Sequence, residues 1–226
     1  MGGRGASSGK GGSGGGILGN PREQRDDYTQ AEYNALQKYT QSSSINGRLG
    51  TVGVEGLDEY DKKYVANLDS ALAKSGFNKT MDNTPFLRGG GGIMIGVPTD
   101  MSFSSPQELA DYINNNSVGN VFKNVGYTSI TTTPGVAASF ASGQTNGIIL
   151  HYNRIYEGMK GGYVSGGKGK KAISVYGTHE DETLLQRNVH FIPLQAVVKG
   201  GQVHVSVIAA PKKSTLTKLW SNIPKS

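Results

Sequence analysis

The N-terminal half of the chain carries apolar positions at helical spacing. In residues 24–39, apolar or small side chains lie on one helical face, at Tyr28, Ala31, Ala35, Leu36 and Tyr39. Residues 58–74 show the same spacing, and we predict an amphipathic helix from each segment. A third helix is predicted to begin at Ser105, because Pro106 takes the first helical position and Glu108 completes a capping box.

After residue 127 the pattern changes to short apolar segments separated by glycine-rich turns. We predict strands at residues 147–152, 172–176, 182–186, 189–198 and 202–208. The tripeptide Lys199-Gly200-Gly201, between the last two strands, is typical of a hairpin. Helices followed by strands favour an α+β fold, with two packed antiparallel β-sheets and the N-terminal helices at one side.

Composition separates a short N-terminal tail from the rest of the chain. The chain has 226 residues, of which 34 are glycine, and its apolar residues make up 35%. Residues 1–19 are almost entirely small or basic, so they cannot bury enough apolar surface to fold. We therefore expect a disordered tail over residues 1–19 and one domain over residues 20–226. No apolar stretch has the pattern of a signal peptide or the length of a membrane span.

Cysteine content and charge restrict the chemistry and the partners. Cysteine is absent, which removes disulfides, thiolate catalysis and cysteine-ligated zinc. The net charge is +6, with basic clusters around Lys170 and Lys213. This charge suits binding of nucleic acid, for which the basic tail is the candidate, and equally an ordinary basic surface.

The most informative chemistry lies in the tripeptide Glu180-Asp181-Glu182. Side chains alternate between faces in an extended segment, so Glu180 and Glu182 would point one way and Asp181 the other. Close carboxylates raise the pKa of at least one of the pair, which lets them divide acid–base and electrostatic roles. A solvated acidic run on an edge strand is the alternative that the tripeptide alone leaves open.

Two motifs precede this tripeptide and give it a context. Residues 84–89 form a short apolar stretch that ends in Arg88 and is followed by glycines. Residues 126–140 form a hydroxyl-rich strand, containing Ser129-Ile130-Thr131, that leads into a short helix. The order of Arg, Ser-x-Thr and Glu-x-Glu resembles the arginine-specific branch of the ADP-ribosyltransferases, a superfamily of clostridial-type toxins and phage enzymes. The resemblance covers roughly residues 28–208.

The middle motif can be aligned with this family in two frames. Thr131-Thr132-Thr133 is an alternative to the frame that begins at Ser129. We prefer Ser129, because it places Pro134 and Phe140 where the family's following helix has the same residue types.

The resemblance implies an ADP-ribosyltransferase fold and transfer of ADP-ribose from NAD to an acceptor, expected to be protein arginine, with release of nicotinamide. Glu182 would bind the ribose and stabilise the oxocarbenium-like transition state. Glu180 would orient the acceptor guanidinium and take its proton. Arg88 would hold the NAD diphosphate, and Ser129 would hydrogen-bond to Glu182.

Three further residues are assigned to these sites. Gly89 would let the backbone approach NAD closely, with a loose glycine loop at residues 89–92 as the alternative. Thr131 would support the strand that binds NAD. Tyr176 would contact the acceptor protein, with a core aromatic residue as the alternative.

Two other kinds of site are not expected. Residues 162–169 nearly match a phosphate-binding loop, but Gly169 stands where a Ser or Thr must bind magnesium. His179 lies beside the carboxylates, yet the other histidines show no ligand spacing, so we expect no metal site.

The biological setting follows from the resemblance and the tail. We expect a phage-encoded enzyme that modifies a bacterial host protein, located in the virion or the host cytoplasm; a toxin secreted without a classical signal is the alternative. A second class of function stays open: a structural virion or nucleic-acid-binding module that keeps the fold without turnover.

Overall fold

The computed structural model describes residues 21–167 and 169–220. The predicted tail, residues 1–19, lies outside the described residues. The helices are α1 (Gln30–Gln41), α2 (Ser44–Val52), α3 (Glu59–Ala73), α4 (Pro106–Asn116), α5 (Pro134–Ser142) and α6 (Lys213–Trp220). The strands are β1 (Met81–Asp82), β2 (Leu87–Gly91), β3 (Phe122–Asn124), β4 (Thr128–Thr131), β5 (Gly147–Ile155), β6 (Gly161–Tyr163), β7 (Glu182–Leu185), β8 (Val189–Lys199) and β9 (Gln202–Ala210). Over the described ranges, no helix is long and apolar enough to cross a membrane.

The first helix starts later than its apolar pattern predicts because a capping box fixes its N-terminus. The N–H of Glu32 donates to Thr29 Oγ1 at 3.3 Å, and the N–H of Thr29 donates to Glu32 Oε2 at 2.7 Å. The segment before Thr29 is not helical, and Gln24 anchors it to the rest of the domain. The side-chain oxygen of Gln24 accepts the N–H groups of Gly166 and Ile173, at 3.0 and 3.3 Å.

The other two predicted helices have the expected starting points. Asp58 caps α3 by accepting the N–H of Asp61 at 2.8 Å. Ser105 caps α4 by accepting the N–H of Glu108 at 3.2 Å. The prediction of a complete capping box on α4 was wrong, because the Glu108 carboxylate bonds to the N–H and the hydroxyl of Ser104, at 2.7 and 2.6 Å. Ser104 offers two donors to this carboxylate where the N-cap backbone offers one.

The strands form one hydrogen-bonded sheet in the order β3-β8-β9-β5-β2-β4-β7-β6, with β1 beside β5. In the described part of the chain, β2 and β4 share one register pair, Leu87 with Thr131, which we call the sheet junction. One half of the sheet contains β4, β7 and β6, and the other contains β3, β8, β9, β5 and β2.

The α+β class is confirmed, and the sheets differ from the prediction in two respects. The two predicted sheets are connected through the sheet junction. They are also not wholly antiparallel, because β5 pairs with β9 in parallel. β9 reaches β5 through its hairpin with β8, not through a direct turn from β5, so its direction is set by β8. That hairpin was predicted correctly: Lys199 pairs with Gln202, and Gly200 and Gly201 have φ of 57° and 77°, as a tight hairpin turn needs.

The main hydrophobic core includes side chains from both halves of the sheet and from α4. Adjacent residues of β7 divide between two cores: Leu185 lies in the main core, and Leu184 packs under α1, α2 and α3. In β5, Ile148 faces the main core and Ile149 packs under α5. This alternation covers both faces of the sheet and fixes the register of the strands that carry the polar residues described below.

Residues 172–176, predicted as a strand, form a bend and the first of a series of turns that continues to Glu180. The N–H groups of Ile173 and Ser174 both donate to the carbonyl of Val164, at 2.9 Å. Ile173 is buried in the core under the N-terminal helices. Ile173, whose apolar character favoured a strand, therefore anchors a loop. This loop leads to Glu180.

Candidate active site

A cavity of about 700 Å³ opens beside the sheet junction. Its walls are formed by the end of α1 and the start of α2, by β2, β4 and α5, and by the turns that precede β7. All the residues assigned from sequence line this cavity, namely Arg88, Gly89, Ser129, Thr131, Tyr176, Glu180 and Glu182. Residues distant in sequence thus meet in one space large enough for a nucleotide-sized ligand.

Glu182 is the most firmly held acidic residue of the cavity. It is the first residue of β7 and pairs with Thr131 of β4. Its N–H donates to Ser165 Oγ at 2.7 Å, and its Oε1 accepts the hydroxyl of Ser129 at 2.7 Å. The other carboxylate oxygen, Oε2, is buried and has no hydrogen-bond partner among the described residues. An unpaired buried oxygen is costly, so Oε2 is an acceptor available to a ligand hydroxyl.

Burial raises the pKa of Glu182 to about 7, with a further upward contribution from the charge of Glu180. The hydrogen bond from Ser129 and the positive charge of Arg88 act in the opposite direction. Burial wins because only 6% of the residue is exposed. A carboxylate with a pKa near neutrality, in a cavity, is typical of a functional site.

Glu180 also faces the cavity, but the backbone between the two carboxylates is not extended as predicted. Glu180 ends the turns, and Asp181 has a φ of +44°, in the left-handed region. The side chain of Asp181 nevertheless points away from the cavity, toward Tyr163 and Thr132. As predicted, Glu180 and Glu182 point to one side and Asp181 to the other. A turn, not an extended strand, produces this arrangement. Partial burial raises the pKa of Glu180.

Arg88 lies in β2, on the other half of the sheet from the carboxylates. One of its guanidinium nitrogens, Nη1, donates to the carbonyl oxygen of Ser129 at 3.0 Å, and its Nε contacts Met94 Sδ at 3.4 Å. The bond to Ser129 crosses the sheet junction, and the two contacts together fix a permanent positive charge in the cavity wall. Ser129 thus contacts both charges of the site, Glu182 through its hydroxyl and Arg88 through its carbonyl.

The two frames of the middle motif have different geometry. Ser129 and Thr131 lie on the same face of β4, and Ile130 between them is in the core. Thr131 Oγ1 donates to the carbonyl of Glu180. In the alternative frame, the Thr132 hydroxyl bonds to Asp181. Thr133 is the N-cap residue of α5, without a capping hydrogen bond from its side chain. Neither hydroxyl bonds to Glu182. The contacts favour the frame that begins at Ser129.

Gly89 lines the cavity, yet its lack of a side chain serves packing. A Cβ atom at Gly89 would lie 1.8 Å from the carbonyl oxygen of Ala137, so α5 rests directly on β2. A loose loop is wrong for this segment, because residues 89–91 are in β2 and Gly92 begins a 3-10 helix. Tyr176 is 52% exposed at the cavity mouth, so the core aromatic alternative is wrong as well.

The cavity is also lined by residues that the sequence analysis does not assign to the site. Asn46 donates through Nδ2 to the hydroxyl of Tyr39 at 2.9 Å, and both line the cavity. Ile93 and Phe140 also line it and are 60% and 55% exposed. Apolar residues that remain exposed cannot be distinguished from core residues by hydrophobic pattern alone.

The described residues contain no group of three or more metal-ligating side chains. Residues 162 and 163 of the near phosphate-binding motif belong to β6. The region after Gly169 forms bends and turns, where a phosphate-binding loop requires a helix. Lys168 of that motif lies outside the described residues.

The chain matches the ADP-ribosyltransferase exoenzyme family over residues 19–210. Similar solved structures include Plx2a, an ADP-ribosyltransferase toxin from Paenibacillus larvae, with 25% identity, a TM-score of 0.62 and coverage of 80% of this chain and 86% of that one. The C3 exoenzyme from Clostridium limosum has 21% identity, a TM-score of 0.61 and coverage of 81% and 86%. An ADP-ribosyltransferase from Clostridium botulinum has 18% identity, a TM-score of 0.64 and coverage of 81% and 88%.

The comparison with curated proteins found no similar sequence. The family match spans most of the chain, and the folds of the solved toxins agree with the architecture described above. This match does not favour the module without turnover. The chain belongs to the ADP-ribosyltransferase exoenzyme family, whose members are transferases that use NAD as substrate.

Proposed function

We propose that this protein transfers ADP-ribose from NAD to an arginine guanidinium, with release of nicotinamide. The observation that carries the proposal is the pair of carboxylates, Glu180 and Glu182, on one cavity whose wall also holds Arg88. One carboxylate is buried and braced, and the other is half-buried near the mouth. That difference suits two separate roles.

Glu182 is proposed to act on the ribose of NAD. Its unpaired Oε2 can accept a hydrogen bond from a ribose hydroxyl, while Ser129 holds Oε1 in place. The bond between ribose C1′ and the nicotinamide nitrogen breaks, and the electron pair leaves with nicotinamide. Positive charge develops on the ribose, and the negative charge of the buried Glu182 stabilises it.

Glu180 is proposed to act on the acceptor. A carboxylate matches the planar guanidinium of arginine through paired hydrogen bonds, which is the physical reason to prefer arginine. As a guanidinium nitrogen attacks C1′, one of its protons passes to Glu180, and the product is an N-ribosylated guanidinium that keeps its positive charge. Tyr176, exposed at the mouth, is proposed to contact the protein that carries this arginine.

Arg88 is proposed to bind the diphosphate of NAD. Its guanidinium is fixed by the carbonyl of Ser129 and lies in the cavity wall, so it adds a charge without needing to reorganise. Gly89 and Thr131 complete the proposed NAD site as lining residues. The acceptor protein is proposed to be a bacterial host protein, and labelled NAD with host lysate would show it as a labelled band.

Glu180→Ala tests the division of roles. With NAD and agmatine, a small guanidinium compound, we expect the variant to lose transfer and to keep slow hydrolysis of NAD, because water still reaches the ribosyl cation. Nicotinamide release and ADP-ribosyl-agmatine are measured in the same reaction. Glu55→Ala is the matched control, since Glu55 is exposed and away from the cavity.

Two results would contradict the proposal. If the Glu180→Ala variant still transfers ADP-ribose to agmatine, Glu180 does not activate the acceptor. The unaltered protein could also release nicotinamide and modify another side chain, with no transfer to agmatine or to arginine-containing proteins. That result would exclude arginine as the acceptor and leave the family assignment intact.

A further inference from the structure

Asp181, the residue between the two carboxylates, occupies a conformation that few residues adopt. Its φ of +44° lies in the left-handed region, where a residue with a side chain is disfavoured by about 1 kcal/mol or more. Asp and Asn tolerate this region better than other side chains. The left-handed turn is what places Glu180 and Glu182 on the same cavity although the backbone between them is not extended.

The side chain of Asp181 connects the two strands on either side of β7. Its Oδ1 accepts the hydroxyl of Tyr163 at 2.6 Å, and its Oδ2 accepts the hydroxyl of Thr132. Tyr163 ends β6 and pairs with Thr183 of β7. Thr132 directly follows β4, which pairs with β7 on its other side. The carboxylate thus bridges β6 and β4 at the point where the preceding turns enter β7.

The two cavity carboxylates depend on this bridge to different degrees. Glu182 has its own supports, Ser129 on the side chain and Ser165 on the backbone N–H. Within the described ranges, no hydrogen bond or ion pair reaches the carboxylate of Glu180. Its backbone carbonyl accepts the hydroxyl of Thr131. The place of the Glu180 side chain is therefore set by its own backbone, and the next residue along that backbone is Asp181.

We propose that Asp181 is a positioning residue for Glu180, and that its bridge to Tyr163 and Thr132 controls how NAD turnover divides between arginine transfer and hydrolysis. This inference rests on the proposed roles of Glu180 and Glu182. Asp181 faces away from the cavity and touches no reacting atom, so it acts only by holding the turn. Burial, with the neighbouring Asp181, raises the pKa of Tyr163 to about 12, which keeps its hydroxyl a donor throughout the physiological range.

The test compares three variants that weaken the bridge. Asp181→Gly keeps the left-handed backbone accessible and removes the carboxylate. Tyr163→Phe and Thr132→Val each remove one hydroxyl and keep most of the side-chain volume. Asn188→Gly is the matched control, because Asn188 also has a left-handed φ, of 62°, and lies in the connection between β7 and β8.

The measured quantity is the ratio of ADP-ribosyl-agmatine formed to NAD hydrolysed, together with KM for NAD and the melting temperature. We expect Asp181→Gly to lower the ratio about tenfold or more, since small displacements of a catalytic group are costly. Tyr163→Phe and Thr132→Val should lower it by smaller factors. Asn188→Gly should leave it unchanged, and KM for NAD should stay near that of the unaltered protein in all four variants.

A merely structural role predicts a different result: both activities fall together with the melting temperature and the ratio stays constant. That result, or an unchanged ratio in every bridge variant, would overturn the proposal. If Asp181→Gly fails to fold, Tyr163→Phe and Thr132→Val decide the matter. Glu180→Ala is measured in parallel. If this variant leaves the ratio of transfer to hydrolysis unchanged, the proposed function is refuted. If Glu180→Ala lowers the ratio and the bridge variants do not, only the positioning role is refuted.

Discussion

Glu182 shows how burial and hydrogen bonding oppose each other at one residue. Its carboxyl group loses solvent, which favours the neutral form, and gains a donor in Ser129, which favours the charged form. The result is a pKa of about 7, against an ordinary value of 4.5. The protein therefore holds this charge at a cost in stability, which is expected where the charge serves a ligand or a reaction.

Replacing Glu182 by Gln keeps the shape of the side chain and removes its charge. We expect both transfer and hydrolysis to fall by about two orders of magnitude or more, because one preorganised electrostatic group is lost. Binding of NAD, measured by calorimetry, should change little, since the amide still offers an oxygen to a hydroxyl. Near-normal nicotinamide release by this variant would mean that the cation is stabilised elsewhere.

The same substitution should change how stability depends on pH. Because the pKa of Glu182 rises from 4.5 to about 7 on folding, its stabilising contribution is present below pH 4.5 and is lost as the pH rises through 7. The loss amounts to about 3 kcal/mol. Glu182→Gln should therefore melt several degrees higher than the unaltered protein at pH 8 and at about the same temperature at pH 4.5. An equal difference at both pH values would contradict the raised pKa.

At the scale of elements, the contact of β2 with α5 requires a glycine. A Cβ at Gly89 would overlap the carbonyl of Ala137 and would lie 2.7 Å from the N–H nitrogen of Ala141, so α5 would have to move. We expect Gly89→Ala to destabilise the fold by about 2 to 3 kcal/mol, measured by urea denaturation.

Gly135→Ala is the control for this prediction. Gly135 lies in α5 with no atom within 4 Å of its missing Cβ, and it should gain up to about 1 kcal/mol from helix propensity. If the two variants had similar stability, β2 and α5 would not be in direct contact.

The elements also show what the sequence could and could not predict. α3, β8 and β9 were predicted closely, because their apolar residues follow one period over many positions and end at clear caps or turns. β2 was not separated as a strand, because Gly89, Gly90 and Gly91 provide no side chains to show alternation. The sequence pattern predicts a strand at residues 172–176, where the structure has a loop, because a buried Ile173 gives the same pattern in either setting.

The candidate site could be predicted from its charged and hydroxyl residues but not from its shape. Arg88, Ser129 and Glu182 have chemistry that a sequence displays. The left-handed turn at Asp181 depends on hydrogen bonds to Tyr163 and Thr132, whose partners are set by strand pairing distant in sequence. Local pattern carries no information about such contacts.

At the scale of the whole molecule, the N-terminal boundary can be tested by deletion. Near the start of the described residues, the carbonyl of Pro21 accepts Thr183 Oγ1 at 3.2 Å, and Gln24 accepts the N–H of Gly166 at 3.0 Å. Deleting residues 1–19 leaves these contacts, so we expect transfer activity and melting temperature to stay nearly unchanged. Binding of nucleic acid, measured by gel shift, should fall if the basic tail contributes to it. A melting temperature lower by more than a few degrees would place part of the tail in the fold.

The sheet junction determines how the site is distributed over the molecule. Arg88 belongs to one half of the sheet, and Ser129, Glu180 and Glu182 belong with the other, while one register pair connects the strands between them. In the proposed binding mode, NAD contacts Arg88 through its diphosphate and Glu182 through the adjoining ribose, and it would therefore link the two halves. Binding of NAD is therefore expected to restrict motion of the two halves relative to each other. The substrate would add contacts at the sheet junction, where the described strands β2 and β4 share one register pair.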